Sequence, residues 1–153
     1  KSTGEVLGID TDLDRAIYKG FLGTGTQIPT EGGVFVSLKD HDKTEESAAV
    51  IKDYIDMGFV PYASSGTAAF LKEHGIPSMV IDYSDVIPKI AEDIQIVINT
   101  PKAINKIGAD TFPIRRAAIE HGLPVLTCMD TAWAFAKAIK QKQAGAELSF
   151  AVL

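Results

Sequence analysis

Short apolar runs alternate with amphipathic segments along most of the chain. Five runs are rich in β-branched residues and bounded by turn residues, which is typical of buried strands in a parallel sheet. They cover residues 33–38, 59–63, 78–82, 95–99 and 124–128. The pattern therefore predicts five strands.

The segments between these runs carry apolar residues at helical spacing. Helices are predicted at residues 12–22, 43–57, 65–74, 85–91, 112–121 and 131–142. Asp42 and Glu45 stand in capping-box relation at the second helix, and Asp130 is the expected N-cap of the last. Gly23, Gly75 and Gly122 are the expected helix ends.

Strands and helices that alternate at this regular spacing require crossover connections between parallel strands. The predicted fold class is therefore α/β: a doubly wound, three-layer sandwich of the Rossmann or flavodoxin-like kind, with a five-stranded, mainly parallel sheet. The tail GAELSFAVL could add an edge strand or belong to a linker, and the pattern does not distinguish the two.

Composition narrows the class of protein. With 153 residues, 46% hydrophobic residues and 23% charged residues, the chain suits one globular domain. A net charge of −5 and the lack of a basic stripe argue against nucleic-acid binding. No apolar stretch is long enough to cross a membrane, and a lone cysteine cannot form an internal disulfide, so a cytoplasmic location is expected. Because the chain begins with Lys1, we expect it to come from a longer polypeptide.

The five strands should end at one rim of the sheet, where ligands of such folds bind. After the second strand comes ASSGT, in which Ser64, Ser65, Gly66 and Thr67 open a helix. Small hydroxyl side chains, a glycine and free helix N–H groups favour an anion such as phosphate. The alternative is that Ser64 or Ser65 only caps the helix.

Three further residues favour the anion. Lys43 is predicted in the first turn of its helix, where a cation has the electrostatically unfavourable sign, unless it is only a solvated lysine beside Glu45 and Glu46. Asn99 and Thr100 end the fourth strand and offer polar atoms to the rim, unless they only form a turn before Pro101.

Other reactive residue types give weaker signals. The three histidines are far apart in sequence and there is one cysteine, so no metal site is predicted. Cys128 is expected to be a small buried residue. Arg115 and Arg116 are expected on a solvated helix face, although one of them could reach the site or a partner domain.

Several motifs together resemble one known family. HDK after the first strand, ASSGTAAFLKEHGIP, VINTP, FPIRRAAIEHGLPVLT and DTAWAFAKAI are similar to the methylglyoxal-synthase-like domain at the carboxyl end of carbamoyl phosphate synthase large chains. The opening KSTGEVLGID resembles the end of the ATP-grasp synthetase module that precedes this domain. The resemblance thus divides the chain into residues 1–22, the end of that module with a connecting helix, and residues 23–153, the regulatory domain.

The resemblance implies an allosteric role. In this family a nucleoside monophosphate, such as UMP or IMP, or another phosphate effector binds at the strand ends and regulates carbamoyl phosphate synthesis for the pyrimidine and arginine pathways. The fragment itself would need no cofactor, whereas ATP and Mg²⁺ would be used in other domains. The implied partners are the synthetase domains of the same chain and the glutaminase small subunit, and a homo-oligomer is compatible with the resemblance.

Carried over by motif, Lys43, Ser64 and Thr67 would hold the effector phosphate, with Ser65, Gly66, Tyr83, Asn99 and Thr100 completing the site. No residue is assigned a catalytic role. The chain departs from many members in the loop DYSDVIPKI after the third strand, where Asp82 or Tyr83 takes the place of a lysine. Lys89 and Lys102 are the candidates to replace that cation.

Two other functions remain open. One is an enzyme of the methylglyoxal synthase kind, which eliminates phosphate from a triose phosphate. That chemistry needs a carboxylate base in a Gly-Gly-Asp type of loop, which the sequence lacks after the third strand. The other is a domain without a ligand that serves in packing or oligomerisation, and the short third loop favours it.

Overall fold

The computed structural model describes residues 13–25, 27–101 and 111–145. The strands are β1 (Gly33–Ser37), β2 (Val60–Ala63), β3 (Met79–Val80), β4 (Ile94–Asn99) and β5 (Val125–Leu126). The helices are α1 (Leu13–Gly23), α2 (Glu45–Asp56), α3 (Ser65–Glu73), α4 (Tyr83–Val86), α5 (Phe112–Glu120) and α6 (Met129–Gln143), with 3₁₀ turns at Asp40–Asp42 and Ile87–Lys89.

The strands form one parallel sheet in the order β3-β2-β1-β4-β5. The two central strands are almost entirely buried, and their side chains alternate between two cores. On one face Val34 and Val36 pack with α1, α2, α3 and α6. On the other face Phe35 packs with α4 and α5. The predicted three-layer α/β fold is therefore confirmed.

The edge strands differ from the prediction. β3 pairs only through Met79 and Val80, and these side chains are 55% and 63% exposed. The prediction of a buried third strand was wrong, because an edge strand has a neighbour on one side only and its apolar side chains are not covered here. β5, at the other edge, is equally short, although Leu126 is buried.

Two helices have other N-cap residues than predicted. α2 is capped by Thr44, whose side chain accepts a hydrogen bond of 3.1 Å from the N–H of Ser47. Asp42, the predicted cap, lies in the preceding 3₁₀ turn. α6 begins at Met129 with Cys128 at the N-cap position, so Asp130 lies inside the first turn. Both predictions placed the cap at an acidic residue, but neither Asp42 nor Asp130 occupies that position.

α1 is part of the same core as the sheet. The rings of Phe21 and Phe135 contact edge to face, with centroids 5.0 Å apart, which joins α1 to α6. The hydroxyl of Tyr54 donates to the carbonyl of Ala132, which joins α2 to α6. The expectations for KSTGEVLGID and for the tail GAELSFAVL lie outside the described residues, and the division at residues 22 and 23 stays a prediction.

Candidate functional site

A polar cavity of about 330 Å³ opens where β1, β2 and β3 end. Six of the eight residues predicted for the site line it: Lys43, Ser64, Ser65, Gly66, Thr67 and Tyr83. Leu38, Ile81 and Asp82 complete the lining. The sheet order explains this grouping, because the three strands are neighbours and their carboxyl ends share one rim.

The first turn of α3 faces this cavity without a side-chain cap. Ser64 occupies the N-cap position in extended conformation, but its hydroxyl accepts no hydrogen bond from the helix backbone. Instead it donates to Oγ1 of Thr67 at 3.1 Å. Ser65 and Gly66 are exposed at the start of the helix. The alternative that Ser64 only caps the helix is therefore not realised, and the helix presents uncapped N–H groups and its positive dipole end to the cavity.

Lys43 adds a full positive charge at the same place. It lies between the 3₁₀ turn and Thr44, and so precedes α2, where the sequence had placed it in the first turn of that helix. A Cβ atom added to Gly66 would be 3.4 Å from Nζ of Lys43, so the ammonium lies against the backbone that opens α3. Two positive features thus converge on one cavity.

Asp40 is the acidic partner of Lys43 in the structure. Nζ of Lys43 lies 2.9 Å from Oδ1 of Asp40. The lysine side chain is 21% exposed, whereas the aspartate side chain is 91% exposed. Such an exposed ion pair contributes little to stability, and water screens it strongly. The pair therefore leaves the ammonium available to a ligand in the cavity.

Thr67 connects the cavity to the sheet. Its side chain is 1% exposed, and Oγ1 accepts hydrogen bonds from the N–H of Leu38 at 3.0 Å and from Ser64. A threonine hydroxyl has two lone pairs and one hydrogen, so both acceptor positions are used. The hydroxyl thus holds the start of α3 against the end of β1.

The structure does not bring Asn99 and Thr100 to this cavity. Both are buried at the end of β4, and both bond to β1. Nδ2 of Asn99 donates to the carbonyl of Ser37 at 3.1 Å, and the N–H of Thr100 donates to the same oxygen at 3.0 Å. Oγ1 of Thr100 accepts from the N–H of Lys39 at 2.9 Å. In this structure the two residues tie β4 to β1.

Arg115 takes part in the same network. Its Nη1 donates to Oδ1 of Asn99 at 2.6 Å and to Oγ1 of Thr111 at 2.8 Å, and the Thr111 hydroxyl also donates to Oδ1 of Asn99. Arg116, in contrast, is exposed and pairs with Glu120. Only one member of the doublet is therefore on a solvated face, and the other joins α5 to the end of β4.

Sequence reasoning missed Ser37. Its carbonyl accepts from Asn99 and Thr100, and its hydroxyl lies 3.0 Å from the Tyr83 hydroxyl and 3.4 Å from that of Ser64. The residue is 5% exposed and so depends on these bonds. The available signal was a polar residue at the end of the apolar run GVFVS.

The candidate lysine Lys89 does not line this cavity. Lys89 lines a neighbouring cavity of about 670 Å³ beside β3, and its ammonium lies 3.2 Å from Oδ2 of Asp93. That hydrogen bond, more than any other contact, raises the pKa of Lys89. Lys102 lies outside the described residues. In the described part of the chain, Lys43 is the cation that lines the polar cavity.

A second, larger cavity has a different character. It has a volume of about 770 Å³ and runs along β5 at the edge of the sheet, lined largely by apolar side chains from α1, β5 and α5 such as Phe21, Leu126 and Ile119. Its charged lining residues already have partners, since Arg115 bonds to Asn99 and Thr111 and Arg116 pairs with Glu120. The smaller, polar cavity is therefore the candidate functional site.

Within residues 13–25, 27–101 and 111–145, no three His, Cys, Asp or Glu side chains lie together as metal ligands would. In the same part of the chain, none of the helices has the length and apolar character needed to cross a bilayer.

Cys128 is exposed, contrary to the expectation of burial. It precedes α6 at the rim, and its sulfur lies 3.0 Å from the Thr131 hydroxyl.

Comparisons with known proteins agree with this architecture. The family model described as MGS-like domain matches residues 46–127. The chain is 44% identical over 152 residues to the carbamoyl phosphate synthase large chain of Clostridium acetobutylicum. The alignment covers 98% of this chain and 14% of that relative, so the chain spans about one seventh of the length of that protein. Taken together with the parallel sheet, these matches show that the chain belongs to the MGS-like domain family.

Proposed function

We propose that this chain is the regulatory domain of a carbamoyl phosphate synthase large chain, and that it binds a phosphate-bearing effector in the polar cavity. The effector is a nucleoside monophosphate of the UMP or IMP type. One observation carries the proposal: the ammonium of Lys43 and the uncapped start of α3 converge on the same cavity. No metal ion is needed to hold a phosphate there.

The groups of the cavity suit a phosphate chemically. The backbone N–H groups at the start of α3 donate hydrogen bonds, and Gly66 allows close approach because it has no side chain. Lys43 supplies a point charge, and the Ser65 hydroxyl lines the same cavity. Hydrogen bonds to a charged group contribute about 1.5–3 kcal/mol each, so a few of them give useful affinity.

The relation to the relative supports the regulatory part of the proposal. That relative is called a carbamoyl phosphate synthase large chain, and this chain corresponds to 14% of it. Catalysis by the parent protein would then take place in other domains of the same polypeptide and with its glutaminase partner, in the cytoplasm. Effector binding in the polar cavity would shift a conformational equilibrium that also affects the catalytic sites in the other domains, as allosteric coupling requires.

Ligand-dependent stabilisation tests the binding step. Thermal unfolding of the 153-residue chain is measured with UMP, IMP and inorganic phosphate, and a bound effector should stabilise the fold by about 2–3 kcal/mol when its concentration is about 100 times Kd. Lys43→Met should remove most of the shift. Lys52→Met is the matched control, because Lys52 lies on the exposed face of α2 and pairs with Asp56.

The outcomes separate the proposal from its alternatives. If none of the three compounds stabilises the chain against thermal unfolding, the proposal is wrong and the domain serves in packing instead. Equal shifts in Lys43→Met and the unmodified chain would place the anion elsewhere. Release of methylglyoxal from dihydroxyacetone phosphate would identify an enzyme, with Asp82 as the carboxylate that lines the cavity.

A further inference from the structure

Asp82 is an exposed acidic residue in the lining of the otherwise cationic cavity, and it also lines the neighbouring cavity of about 670 Å³. The cavity has three walls, which follow the three strand ends. Lys43 comes from the β1 side, the start of α3 from the β2 side, and Ile81, Asp82 and Tyr83 from the β3 side. β3 is at the edge of the sheet, with β2 between it and β1. Positive and negative groups therefore stand on different walls.

The carboxylate of Asp82 has no structural task that the fold shows. The residue occupies the N-cap position of α4, but its side chain makes no capping hydrogen bond. The turn is held by the backbone, where the N–H of Asp85 donates to the carbonyl of Asp82 at 2.9 Å. Among the described residues, no lysine or arginine forms an ion pair with Asp82; Lys89, the nearby lysine of the neighbouring cavity, bonds to Asp93.

The cavity is larger than a phosphate group requires. Its volume of about 330 Å³ is at the lower end of the range for small-molecule sites, which begins at about 300 Å³. A ligand with its phosphate at Lys43 and α3 therefore has room to extend toward the β3 wall. There it meets a carboxylate, which accepts hydrogen bonds from hydroxyl groups and repels a second anion.

We propose that Asp82 selects the effector by accepting hydrogen bonds from hydroxyl groups of a sugar 5-phosphate unit, and that it excludes ligands with a second phosphate at that end. This inference rests on the proposed phosphate site and deepens it. The preferred ligand class is a phosphomonoester with neighbouring hydroxyl groups, either a free sugar phosphate or the ribose phosphate part of a nucleotide. Asp82 is a specificity residue in this scheme, and Lys43 with α3 supplies the affinity for phosphate.

Matched ligands test the hydroxyl preference. Binding of ribose 5-phosphate, its 2,3-dideoxy analogue and inorganic phosphate to the 153-residue chain is measured by calorimetric titration. Ribose 5-phosphate should bind about tenfold or more tightly than the dideoxy analogue, because a hydrogen bond to a charged acceptor is lost. In Asp82→Ala this ratio should fall to about threefold or less, while the affinity for inorganic phosphate stays the same or rises slightly.

Asp85→Ala is the matched control for Asp82→Ala. Asp85 is exposed on the same short helix and lines the neighbouring cavity only, so it should keep the ratio of the unmodified chain. Thermal unfolding of both variants checks that the fold is retained. UMP and 2′,3′-dideoxy-UMP are measured in parallel. UMP should bind more tightly than ribose 5-phosphate if the base is also recognised, and this difference distinguishes a nucleotide effector from a free sugar phosphate.

A bisphosphate ligand tests whether Asp82 excludes a second phosphate. At a purely cationic site, ribose 1,5-bisphosphate would bind more tightly than ribose 5-phosphate because it carries more charge. We expect it to bind more weakly to the unmodified chain, and this order should reverse in Asp82→Asn. An unchanged order in Asp82→Asn, or a hydroxyl preference that survives in Asp82→Ala, overturns the role of Asp82 but leaves the phosphate site standing. If inorganic phosphate and both sugar phosphates all fail to bind, the phosphate site itself is wrong.

Discussion

The ammonium nitrogen of Lys43 lies 3.4 Å from the point where a Cβ atom on Gly66 would be placed. Lys43 precedes α2 and Gly66 opens α3, so the contact brings two helix starts together beside the cavity. Both are positive in character, and such an arrangement is favourable when an anion binds next to them. The pair therefore provides the most direct tests of the site.

Gly66→Ala should separate stability from binding. Gly66 has no positive φ, and the far end of the flexible Lys43 side chain can move by a few tenths of an ångström, so alanine fits the helix. Alanine in a helix is more stable than glycine by up to about 1 kcal/mol, and the melting temperature should stay equal or rise. The methyl group blocks the backbone that a phosphate approaches, so the affinity for inorganic phosphate should fall at least about tenfold. Tighter binding in this variant would contradict the site.

Thr67→Val should destabilise the fold. The N–H of Leu38 would lose its acceptor in a buried position, which costs about 1–3 kcal/mol in the free energy of unfolding. Thr67→Ser keeps the hydroxyl and should keep most of the stability. Chemical denaturation of both variants measures the difference, and a valine variant as stable as the serine variant would show that the Leu38–Thr67 bond is not important.

Asn99→Ala should lower stability with little effect on phosphate affinity. Oδ1 of Asn99 accepts from Thr111 and Arg115, so its removal leaves the buried Thr111 hydroxyl without its acceptor and weakens the hold on Arg115, at a cost of about 2 kcal/mol. The residue does not line the cavity, and the Kd for inorganic phosphate should change less than about threefold. A loss of phosphate affinity equal to that of Lys43→Met would instead place Asn99 in contact with the ligand.

Tyr54 should make stability decrease at alkaline pH. Burial, assisted by the negative charge of Asp53, raises the pKa of its phenol well above the usual value of 10.0. The unfolded chain therefore ionises first, so this contribution is complete below about pH 10 and is lost as the pH rises above it. Tyr54→Phe should flatten this decrease, measured as the free energy of unfolding between pH 9 and pH 11, about one unit either side of the ordinary tyrosine pKa. An identical alkaline decrease in the variant would assign it to other groups.

Apolar periodicity predicted the fold because the two central strands and the helix faces must be buried together. It predicted β3 poorly, since Met79 and Val80 are apolar and yet exposed at the sheet edge. Apolar residues at an edge have the same local pattern as residues in the centre. The difference depends on which neighbour covers them, and that is a property of the whole fold.

The candidate site was predicted only in part, because some of its residues belong to one local turn and others depend on partners across the sheet. Ser64, Gly66 and Thr67 belong to one turn, and local sequence is sufficient to indicate how such a turn presents its N–H groups. Asn99 has the same polar character at a strand end, but its amide is used by Ser37 and Arg115. Sequence shows that a side chain can donate or accept, but the partner that it finds across the sheet depends on register and sheet order.

Among the described residues, those that line the polar cavity all lie between Leu38 and Tyr83, in one continuous stretch of the chain. β4, α5, β5 and α6 contribute no residue to it. Ligand preference can therefore change through substitutions in this stretch while these four elements, with the apolar cavity beside β5, keep their sequence. In evolution, and in the laboratory, the stretch could be exchanged between relatives as a cassette that carries a different effector preference.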